Sequence, residues 1–333
     1  MKKVMVFGAT GTVGAYTCLY LKEKGYNVIA VGHRQSDNGF FALHDMDYYS
    51  VDVRNKQDFQ KLPKSDIDGI VHLCGMLPAR MKGYNPQLYV DVNMSGTLNI
   101  LEYSKELQPD VFVYSQSIAD VAYLCGNKVP IPADAATSFP INNDHSVYSI
   151  TKTAAVNLIK HYSAIVGYQY YILRFPNIYL YHPNPMYYVD GMEKWQGYRR
   201  LIHMAQRGEP ITIWGNPDKV RDIVYVKDCT QIIEKCISSN AESGTYNVGT
   251  GIGTSLKEQV EKIVEVFSPL GHRSAISYDL DKPDTTEYIF DISKTKQNLG
   301  YVPQYGYLEY LLDFKDEMEK ETFALLWGTN QDK

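Results

Sequence analysis

The chain has 333 residues, of which 44% are hydrophobic and 21% charged, with a formal charge of −5 and a pI near 5.9. This length exceeds what one hydrophobic core usually serves, so we expect one large domain with a smaller one built onto it. The acidic balance excludes a broad basic surface, and with it nucleic acid and anionic membranes as expected partners. Any recognition of phosphate must therefore be local.

The cysteines and the N-terminus indicate the compartment. The five cysteines are scattered, without a Cys-x-x-Cys pair, which predicts reduced thiols, no disulfide framework and no metal site. The chain enters a strand pattern almost at once, without a signal-peptide pattern, and no apolar run approaches the length of a membrane span. We therefore expect a cytoplasmic protein.

A glycine-rich turn follows the first predicted strand. Residues 4–7 are a β-prone apolar run, Gly8, Gly11 and Gly14 follow at intervals of three, and a helical pattern begins where they end. In this order, backbone N–H groups at the positive end of a helix can meet a pyrophosphate directly. The turn predicts nucleotide binding, although glycine turns of this kind also arise for steric reasons alone.

The second predicted strand, residues 27–32, ends in Gly32-His33-Arg34. Folds that prefer NAD usually carry Asp or Glu here, which accepts hydrogen bonds from the ribose hydroxyls. Without a carboxylate to repel a 2′-phosphate, and with Arg34 available to pair with it, the sequence favours NADP over NAD. A solvated arginine in a surface loop is the alternative interpretation.

Further apolar runs alternate with helical patterns, which predicts a parallel, doubly wound sheet. The runs cover residues 48–54, 69–73, 111–115, 168–173 and 245–249, and the helical patterns cover 86–107 and a stretch from Tyr148. His72 lies inside one run, where a satisfied core histidine is expected rather than a ligand. Residues 118–147 are predicted to be a loop, an aromatic and cationic insertion follows Pro183, and the remainder is predicted to be helical with a polar end.

Tyr148 and Lys152 lie one helical turn apart on the same face of a predicted helix. The lysine ammonium lowers the phenol pKa, so that Tyr148 can exchange a proton with a substrate hydroxyl while a nicotinamide exchanges the hydride. Ser117, at the end of a parallel strand, can hydrogen-bond the same substrate oxygen. The Tyr-x-x-x-Lys spacing also occurs at Tyr20 and Tyr278 in a chain with 28 tyrosines, but only Tyr148 follows a serine-terminated strand and opens a helix.

Together these motifs resemble those of the extended short-chain dehydrogenases/reductases, in their nucleotide-sugar epimerase/dehydratase group. The resemblance covers about residues 3 to 310 and rests on motifs in a fixed order, namely Gly8-x-x-Gly11-x-x-Gly14, Asp52-Val53, Asn93, Ser117, Tyr148-x-x-x-Lys152, Arg174-Phe175-Pro176-Asn177-Ile178-Tyr179, Arg221-Asp222-Ile223-Val224-Tyr225-Val226 and Tyr246-Asn247-Val248-Gly249. It implies an α/β fold, with a Rossmann domain that binds NAD(P) on a doubly wound parallel sheet and a smaller C-terminal α/β domain that closes over a nucleotide-sugar. The implied bounds are 1–178, joined by 222–250, for the Rossmann domain, and 179–221 with 251–333 for the other.

The resemblance also implies a role for each matching residue. Tyr148 would be the catalytic acid/base, Lys152 would bind the nicotinamide ribose and tune Tyr148, and Ser117 would hold the sugar hydroxyl. Asp52 would lie at the adenine, unless it is only a capping or turn residue. The residues expected to bind substrate are Ser117, Asn177, His182 and Arg221. The residues expected to bind the cofactor are Gly8, Thr10, Gly11, Thr12, Val13, Gly14, His33, Arg34, Asp52, Val53, Leu73, Cys74, Gly75, Asn93, Ser115, Tyr148, Lys152 and Phe175.

Departures from the family pattern narrow the reaction. The family's 4,6-dehydratases carry an Asp-Glu pair directly after the serine or threonine, because removing water needs an extra acid and base, and this chain has Ile118-Ala119 there. Decarboxylases usually keep a Glu nearby and are disfavoured for the same reason. The fucose-synthase-like reductases use a Cys where Ala119 stands, although His182 matches their histidine. The reactions that remain are 4-epimerisation through a transient ketone and NADPH-dependent reduction of a 4-ketosugar.

The choice between these two reactions stays open at this point. The end of the second strand favours the reductase, whereas the overall motif set is typical of epimerases. Many relatives clamp the diphosphate with an Arg where this chain has Asp281-Lys282-Pro283-Asp284. Either Lys282 compensates, or the substrate is not a typical UDP-sugar. A non-catalytic NADP-sensing protein is the distant alternative.

The resemblance also bears on the oligomeric state. Relatives often pair through a four-helix bundle, which here would use the helix after Pro86 and the one that starts at Tyr148. A homodimer is therefore expected.

Overall fold

The computed structural model describes residues 1–127, 129–143, 145–189 and 191–329, so that positions 330–333 of the predicted C-terminal domain lie outside the described residues. The strands are β1 (Lys3–Phe7), β2 (Asn27–Gly32), β3 (Asp47–Ser50), β4 (Gly69–His72), β5 (Val111–Ser117), β6 (Gln169–Phe175), β7 (Ile178–Tyr179), β8 (Met186–Val189), β9 (Met192–Trp195), β10 (Ile211–Trp214), β11 (Val220–Asp222), β12 (Val224–Tyr225), β13 (Gly244–Asn247), β14 (Gly253–Ser255) and β15 (Ile276–Asp279). The helices are α1 (Thr12–Glu23), α2 (Phe40–Leu43), α3 (Pro86–Tyr89), α4 (Gly96–Leu107), α5 (Ser146–Val166), α6 (Gly197–Gln206), α7 (Val226–Ser238), α8 (Leu256–Phe267), α9 (Ser293–Leu299), α10 (Tyr307–Lys320) and α11 (Ala324–Trp327).

Seven strands form the large sheet, in the order β13-β6-β5-β4-β1-β2-β3. Every neighbouring pair in it is parallel. The chain runs outward from β1 to β3 and then returns to the other side of β1 at β4. This reversal creates a crevice at the carboxyl ends of β1 and β4, which is where ligands bind in open α/β sheets. The predicted doubly wound parallel sheet is confirmed.

Both faces of the large sheet are covered. In β1, Val4 and Val6 belong to one hydrophobic cluster, and Met5 and Phe7 belong to the other. Because side chains alternate along a strand, these two clusters are the cores on opposite faces of the sheet. Continuous apolar strands of this kind are typical of a parallel sheet with helices on both sides.

The long helix predicted for 86–107 is a single helical run with an irregular centre. α3 leads into a π-helical turn at Val90–Ser95, which continues into α4. A π-turn inserts an extra residue into the helix and often lies at functional sites. Here the turn carries Asn93.

The region predicted as a loop between β5 and α5 contains more structure than expected. Ser117 caps a 3-10 turn at Ile118–Leu124 by accepting a hydrogen bond from the Ala119 N–H at 3.2 Å. α5 begins two residues before Tyr148, at Ser146. A capping serine and a short turn leave no hydrophobic periodicity, which is why the pattern predicted only a loop.

The smaller region is built from short paired strands and the helices α6, α8 and α10. β10 pairs with β15 in parallel, β11 with β14 antiparallel, and β8 with β9 as a hairpin. The remainder of the chain was predicted as helical with a polar end, yet it includes β14 and β15, and Phe323, Leu326 and Trp327 near its end are buried. Within the described residues, no helix has both the length and the apolarity that a membrane span requires.

Candidate active site

The glycine turn between β1 and α1 is sterically closed to side chains. Gly8 has φ +88°, and a Cβ there would lie 2.9 Å from the backbone nitrogen of Cys74. A Cβ on Gly14 would overlap the carbonyl oxygen of Gly8. Gly11 is the N-cap of α1, and its own backbone N–H donates to the Gly8 carbonyl at 2.9 Å. The turn therefore holds the start of the helix tightly against the strand.

This turn fits the pyrophosphate of a dinucleotide. α1 begins at Thr12, followed by Val13, so its first backbone N–H groups are at the crevice between β1 and β4. Those groups have no partner within the helix and carry the positive end of its dipole. Thr10, within the turn, is buried, and Leu73 and Cys74 follow directly after β4 and contact Gly8.

The end of β2 lies beside the same turn. A Cβ on Gly32 would lie 2.7 Å from the side chain of Thr10, so the two segments are in close contact. Arg34 is exposed, and its guanidinium donates a hydrogen bond to the backbone carbonyl of Leu326 near the C-terminus. His33 is exposed and lies near Asp52.

The predicted adenine residues follow β3. The Asp52 carboxylate is held by Arg54, with Nη2 to Oδ2 at 2.6 Å, and this bond is the main reason that its pKa is lowered. Val53 is buried, and its carbonyl accepts a hydrogen bond from the Asn99 side chain at 2.8 Å. A Cβ on Gly96 would lie 2.7 Å from the Val53 side chain, which ties this segment to the start of α4.

Lys152 lies at the centre of the crevice. Its ammonium donates to the backbone carbonyl of Ser115 and lies 4.1 Å above the ring of Tyr114. The side chain is almost fully buried, and burial lowers the lysine pKa to about 7. Gly75 lies between this ammonium and Asn93, because a Cβ there would be 3.8 Å from Lys152 Nζ and 3.5 Å from Asn93 Oδ1, both ordinary van der Waals contacts.

Asn93 is held by two hydrogen bonds to Met76, the residue after Gly75. Its Oδ1 accepts from the Met76 N–H at 2.7 Å, and its Nδ2 donates to the Met76 carbonyl at 3.2 Å. His72, expected as a core residue, is fully buried, and its Nε2 lies 2.8 Å from Thr97 Oγ1. Burial, followed by the charge of Lys152, lowers the pKa of His72 well below its usual value, so the imidazole is neutral.

Tyr148 and Ser117 lie close together at the carboxyl edge of the sheet. The expectation that Lys152 lowers the phenol pKa is wrong for the protein without ligands: the Tyr148 side chain is 6% exposed, and burial raises its pKa more than the neighbouring Ser117 side chain lowers it. In the sheet register Ser117 is paired with Phe175, so both residues lie at the carboxyl edge. The fold therefore brings a hydroxyl, a phenol and an ammonium into one crevice. A phenol beside a serine hydroxyl can exchange a proton with a bound hydroxyl.

The predicted substrate residues other than Ser117 lie on later segments of the chain than the strands and helices described above. Asn177 is exposed between β6 and β7, and Arg221 in β11 donates from Nε to the Thr286 carbonyl at 2.8 Å. His182 lies against Trp327, with ring centroids 4.7 Å apart. None of these contacts tests whether Asn177, Arg221 and His182 bind substrate, so their substrate roles stay predictions.

A buried ion pair was not assigned a function from the sequence. The Arg174 guanidinium binds the Asp120 carboxylate through two bonds, of 2.8 and 3.1 Å, and also donates to the Ala133 carbonyl and to Asn247 Oδ1. Arg174 and Asn247 belong to two of the motifs in the chain, but their spacing does not show that they meet. Their partner Asp120 lies in the predicted loop, where no periodic signal marks it.

The C-terminal segment was also missed. The indole Nε1 of Trp327 donates to the Thr10 carbonyl of the glycine turn at 3.1 Å. Phe323 packs against Tyr16 in α1, with ring centroids 4.4 Å apart. Aromatic residues within the otherwise polar tail were the only available signal.

Residues 4–249 match the family described as the NAD dependent epimerase/dehydratase family. The chain belongs to this family. Its similarity to a protein of Methanocaldococcus jannaschii, provisionally named UDP-glucose 4-epimerase, is 27% identity over 301 residues, covering 90% of this chain and 93% of that protein.

Solved structures show that the whole architecture is shared. The UDP-glucose 4-epimerase of Thermotoga maritima, in complex with UDP-glucose, superposes with a TM-score of 0.75 at 22% identity, covering 96% of this chain and 99% of the other. The UDP-glucuronic acid 4-epimerase of Bacillus cereus, in complex with NAD, superposes with a TM-score of 0.71 at 22% identity, covering 98% and 99%. The predicted fold and family are therefore confirmed, and a nicotinamide dinucleotide is the cofactor typical of this family.

Proposed function

We propose that this family member is an enzyme that epimerises a nucleotide-sugar at C4 through a transient 4-keto intermediate. The observation that carries the proposal is the placement of the buried Tyr148 phenol close enough to the Ser117 side chain for that serine to lower its pKa, at the sheet edge where the Lys152 ammonium donates to the Ser115 carbonyl. A bound NAD(P) would supply a hydride acceptor and donor. The protein then has to move one proton at the sugar hydroxyl.

The three side chains divide that task. Tyr148 takes the proton from the C4 hydroxyl during oxidation and returns it during reduction, in line with general acid–base catalysis. Ser117 donates a hydrogen bond to the same C4 oxygen. Because Ser117 and Tyr148 lie close together, both side chains can reach that oxygen at once. Lys152, when protonated, would stabilise the phenolate and bind the nicotinamide ribose.

The chain beside Ser117 favours chemistry that needs no second acid and base. Ile118 and Ala119 follow it directly, and the Asp120 carboxylate is bound by Arg174. Removal of water would need an additional proton donor and acceptor at this position. Simple oxidation and reduction at C4 would not, which supports epimerisation over dehydration.

The first test compares Tyr148→Phe with Tyr20→Phe, because Tyr20 on α1 forms a Tyr-x-x-x-Lys pair of the same spacing with Lys24, the C-cap of that helix. With a panel of UDP-sugars and NAD⁺, we expect Tyr148→Phe to lower kcat by about 10²- to 10⁴-fold, the usual contribution of a general acid/base. Tyr20→Phe should keep wild-type turnover. Equal turnover by both variants would show that Tyr148 is not the acid/base.

A second candidate is an NADPH-dependent reductase of a nucleotide-linked 4-ketosugar. It is favoured by the end of β2, where Gly32-His33-Arg34 offers a cation and no carboxylate for the adenosine ribose. An epimerase keeps its dinucleotide because each turnover regenerates it, whereas a reductase must exchange it.

The nucleotide released by denaturing the purified protein separates these two reactions. Nearly one equivalent of NAD⁺ or NADP⁺, identified by chromatography and mass, would support the epimerase. Protein that releases none and binds NADPH more tightly than NADH would support the reductase. Failure of the protein to bind any of these dinucleotides would contradict both.

A further inference from the structure

Residues 321–328, which we call the strap, lie across the rim of the dinucleotide site. Three hydrogen bonds hold the strap there. Trp327 Nε1 donates to the Thr10 carbonyl at 3.1 Å, Asn38 Nδ2 donates to the Leu325 carbonyl at 2.9 Å, and the Arg34 guanidinium donates to the Leu326 carbonyl. The strap thus joins the glycine turn to the residues that follow β2.

Aromatic packing keeps the strap in one place. Phe323 and Trp327 stack on each other with centroids 4.3 Å apart, and Phe323 also contacts Phe40 with centroids 5.6 Å apart. Both strap residues are buried, at 3% and 7% exposure. Burying two large aromatic side chains is strongly favourable, so the strap is a docked part of the fold.

The bond to the strap orients Arg34 without neutralising it. Its acceptor is an uncharged carbonyl, and the ion pairs among the described residues leave Arg34 without a carboxylate partner. A guanidinium has five donors in a rigid fork, and one hydrogen bond fixes the direction of the others. The remaining donors can then meet a phosphate with less loss of side-chain freedom.

We propose that the strap positions Arg34 to recognise the 2′-phosphate of NADP, which makes Trp327 a positioning residue for the choice of dinucleotide. This inference rests on the proposed dinucleotide-dependent function. NAD has a hydroxyl where NADP has the phosphate, so the oriented guanidinium strengthens the binding of NADP alone. The bond from Trp327 to the glycine turn acts on the part of the site that both dinucleotides share.

The test is the ratio of the two affinities, measured by calorimetry on the full chain. We expect Trp327→Ala to raise the Kd for NADP⁺ about tenfold more than the Kd for NAD⁺, as the loss of one charge-assisted hydrogen bond would. The matched control is Leu325→Ala, whose side chain is exposed on the same short helix. That variant should leave both constants unchanged.

Arg34→Ala tests whether the effect passes through the arginine. We expect the same loss of NADP⁺ preference in Arg34→Ala and in the double variant with Trp327→Ala, because residues that act as one unit are not additive. If Trp327→Ala fails to fold, Trp327→Phe replaces it, because this variant keeps the ring packing and removes only the hydrogen bond to Thr10. We expect it to shift the ratio of the two Kd values in the same direction.

Other results would overturn the inference. An equal loss of affinity for both dinucleotides would mean that the strap only supports the site, and tighter binding of NADP⁺ would mean that it withholds Arg34. If the wild type turns over a nucleotide-sugar while the ratio stays constant in every variant, the inference alone fails. If the wild type binds neither dinucleotide, the proposed function fails with it.

Discussion

At the level of single residues, the site depends on how deeply Lys152 is buried. The ammonium is enclosed between the Ser115 carbonyl and the ring of Tyr114, and burial lowers its pKa from 10.5 to about 7. In the protein without cofactor, this lysine therefore releases its proton at a much lower pH than a lysine in water. Ligands that favour the charged form, such as a hydroxyl that accepts its hydrogen bond, would restore the ammonium.

The lowered pKa of Lys152 predicts a pH dependence of stability. Between about pH 7 and pH 10.5 the unfolded chain holds the proton and the folded protein releases it, so the unfolding free energy rises with pH in this window. We expect this group to contribute up to about 1.4 kcal/mol per pH unit. Urea unfolding of the cofactor-free protein at pH 7, 8 and 9 measures the slope, which should be smaller in Lys152→Met. Lys160→Met, at an exposed lysine on the same helix, should keep the wild-type slope, and identical slopes in all three proteins would contradict the prediction.

The glycine turn between β1 and α1 depends on the absence of a side chain at Gly14. A Cβ on Gly14 would overlap backbone, whereas the space around Gly197, at the start of α6, is open within 4 Å. We expect Gly14→Ala to lower the unfolding free energy by about 1 to 3 kcal/mol, the usual range for overpacking, and to weaken dinucleotide binding. Gly197→Ala is the control that should fold and bind normally. Both quantities are measured by urea unfolding and calorimetry, and normal binding by Gly14→Ala would refute the assigned role of the turn.

At the level of elements, the ion pair of Asp120 and Arg174 holds the segment after β5 against the end of β6. Arg174 also donates to backbone carbonyls at Pro132 and Ala133, so a single side chain supports the loop that carries the chain from Ser117 to α5. Burial raises the pKa of the Asp120 carboxyl, and the guanidinium opposes that rise. A buried pair of this kind is costly to break, because removing one partner leaves an uncompensated charge.

Asp120→Asn should therefore be strongly destabilising. We expect a loss of about 3 to 5 kcal/mol in unfolding free energy, because the Arg174 charge would remain buried without its partner. The control is Glu265→Gln, which breaks an exposed pair with Lys262 and should have no measurable effect. Urea unfolding measures both changes. A small effect of Asp120→Asn would mean that water or the carbonyls of the loop satisfy Arg174 unaided.

At the level of the whole molecule, the helical run Pro86–Leu107 and α5 lie side by side on one face of the large sheet. Met94 and Ile150, on these two elements, are exposed apolar residues, at 36% and 47%. Apolar side chains on neighbouring helices suit the packing of two copies of the chain as a four-helix bundle. The homodimer remains a prediction.

Light scattering tests the homodimer, since the chain mass is 37.9 kDa. We expect twice this mass for the wild type, and a shift towards the single-chain mass for Ile150→Glu, because a buried carboxylate in the bundle would lack a partner. Val129→Glu, at an exposed valine outside both elements, should leave the dimer intact. A wild type of single-chain mass, or a dimer unaffected by Ile150→Glu, would contradict the prediction.

Much of this protein could be predicted from local patterns. The order of strand, glycine turn and helix, the alternation of later strands and helices, and the step from Tyr148 to Lys152 each depend on neighbouring residues in the chain, where periodicity and backbone geometry act directly. Those patterns predicted the large sheet and the confirmed family. They also predicted that Ser117 would lie at a strand end, because the carboxyl ends of parallel strands meet at one edge.

Other features needed the tertiary structure, because they join residues far apart in the chain. The contact of Asp120 with Arg174, the π-turn that presents Asn93, and the docking of Trp327 on Thr10 have no periodic signal. The strap is the clearest case: residue 34 and residue 326 meet only after the sheet, α1 and the C-terminal helices have packed. Local sequence determined which side chains the chain brings to the candidate site, and long-range packing decided how each of them is oriented and buried.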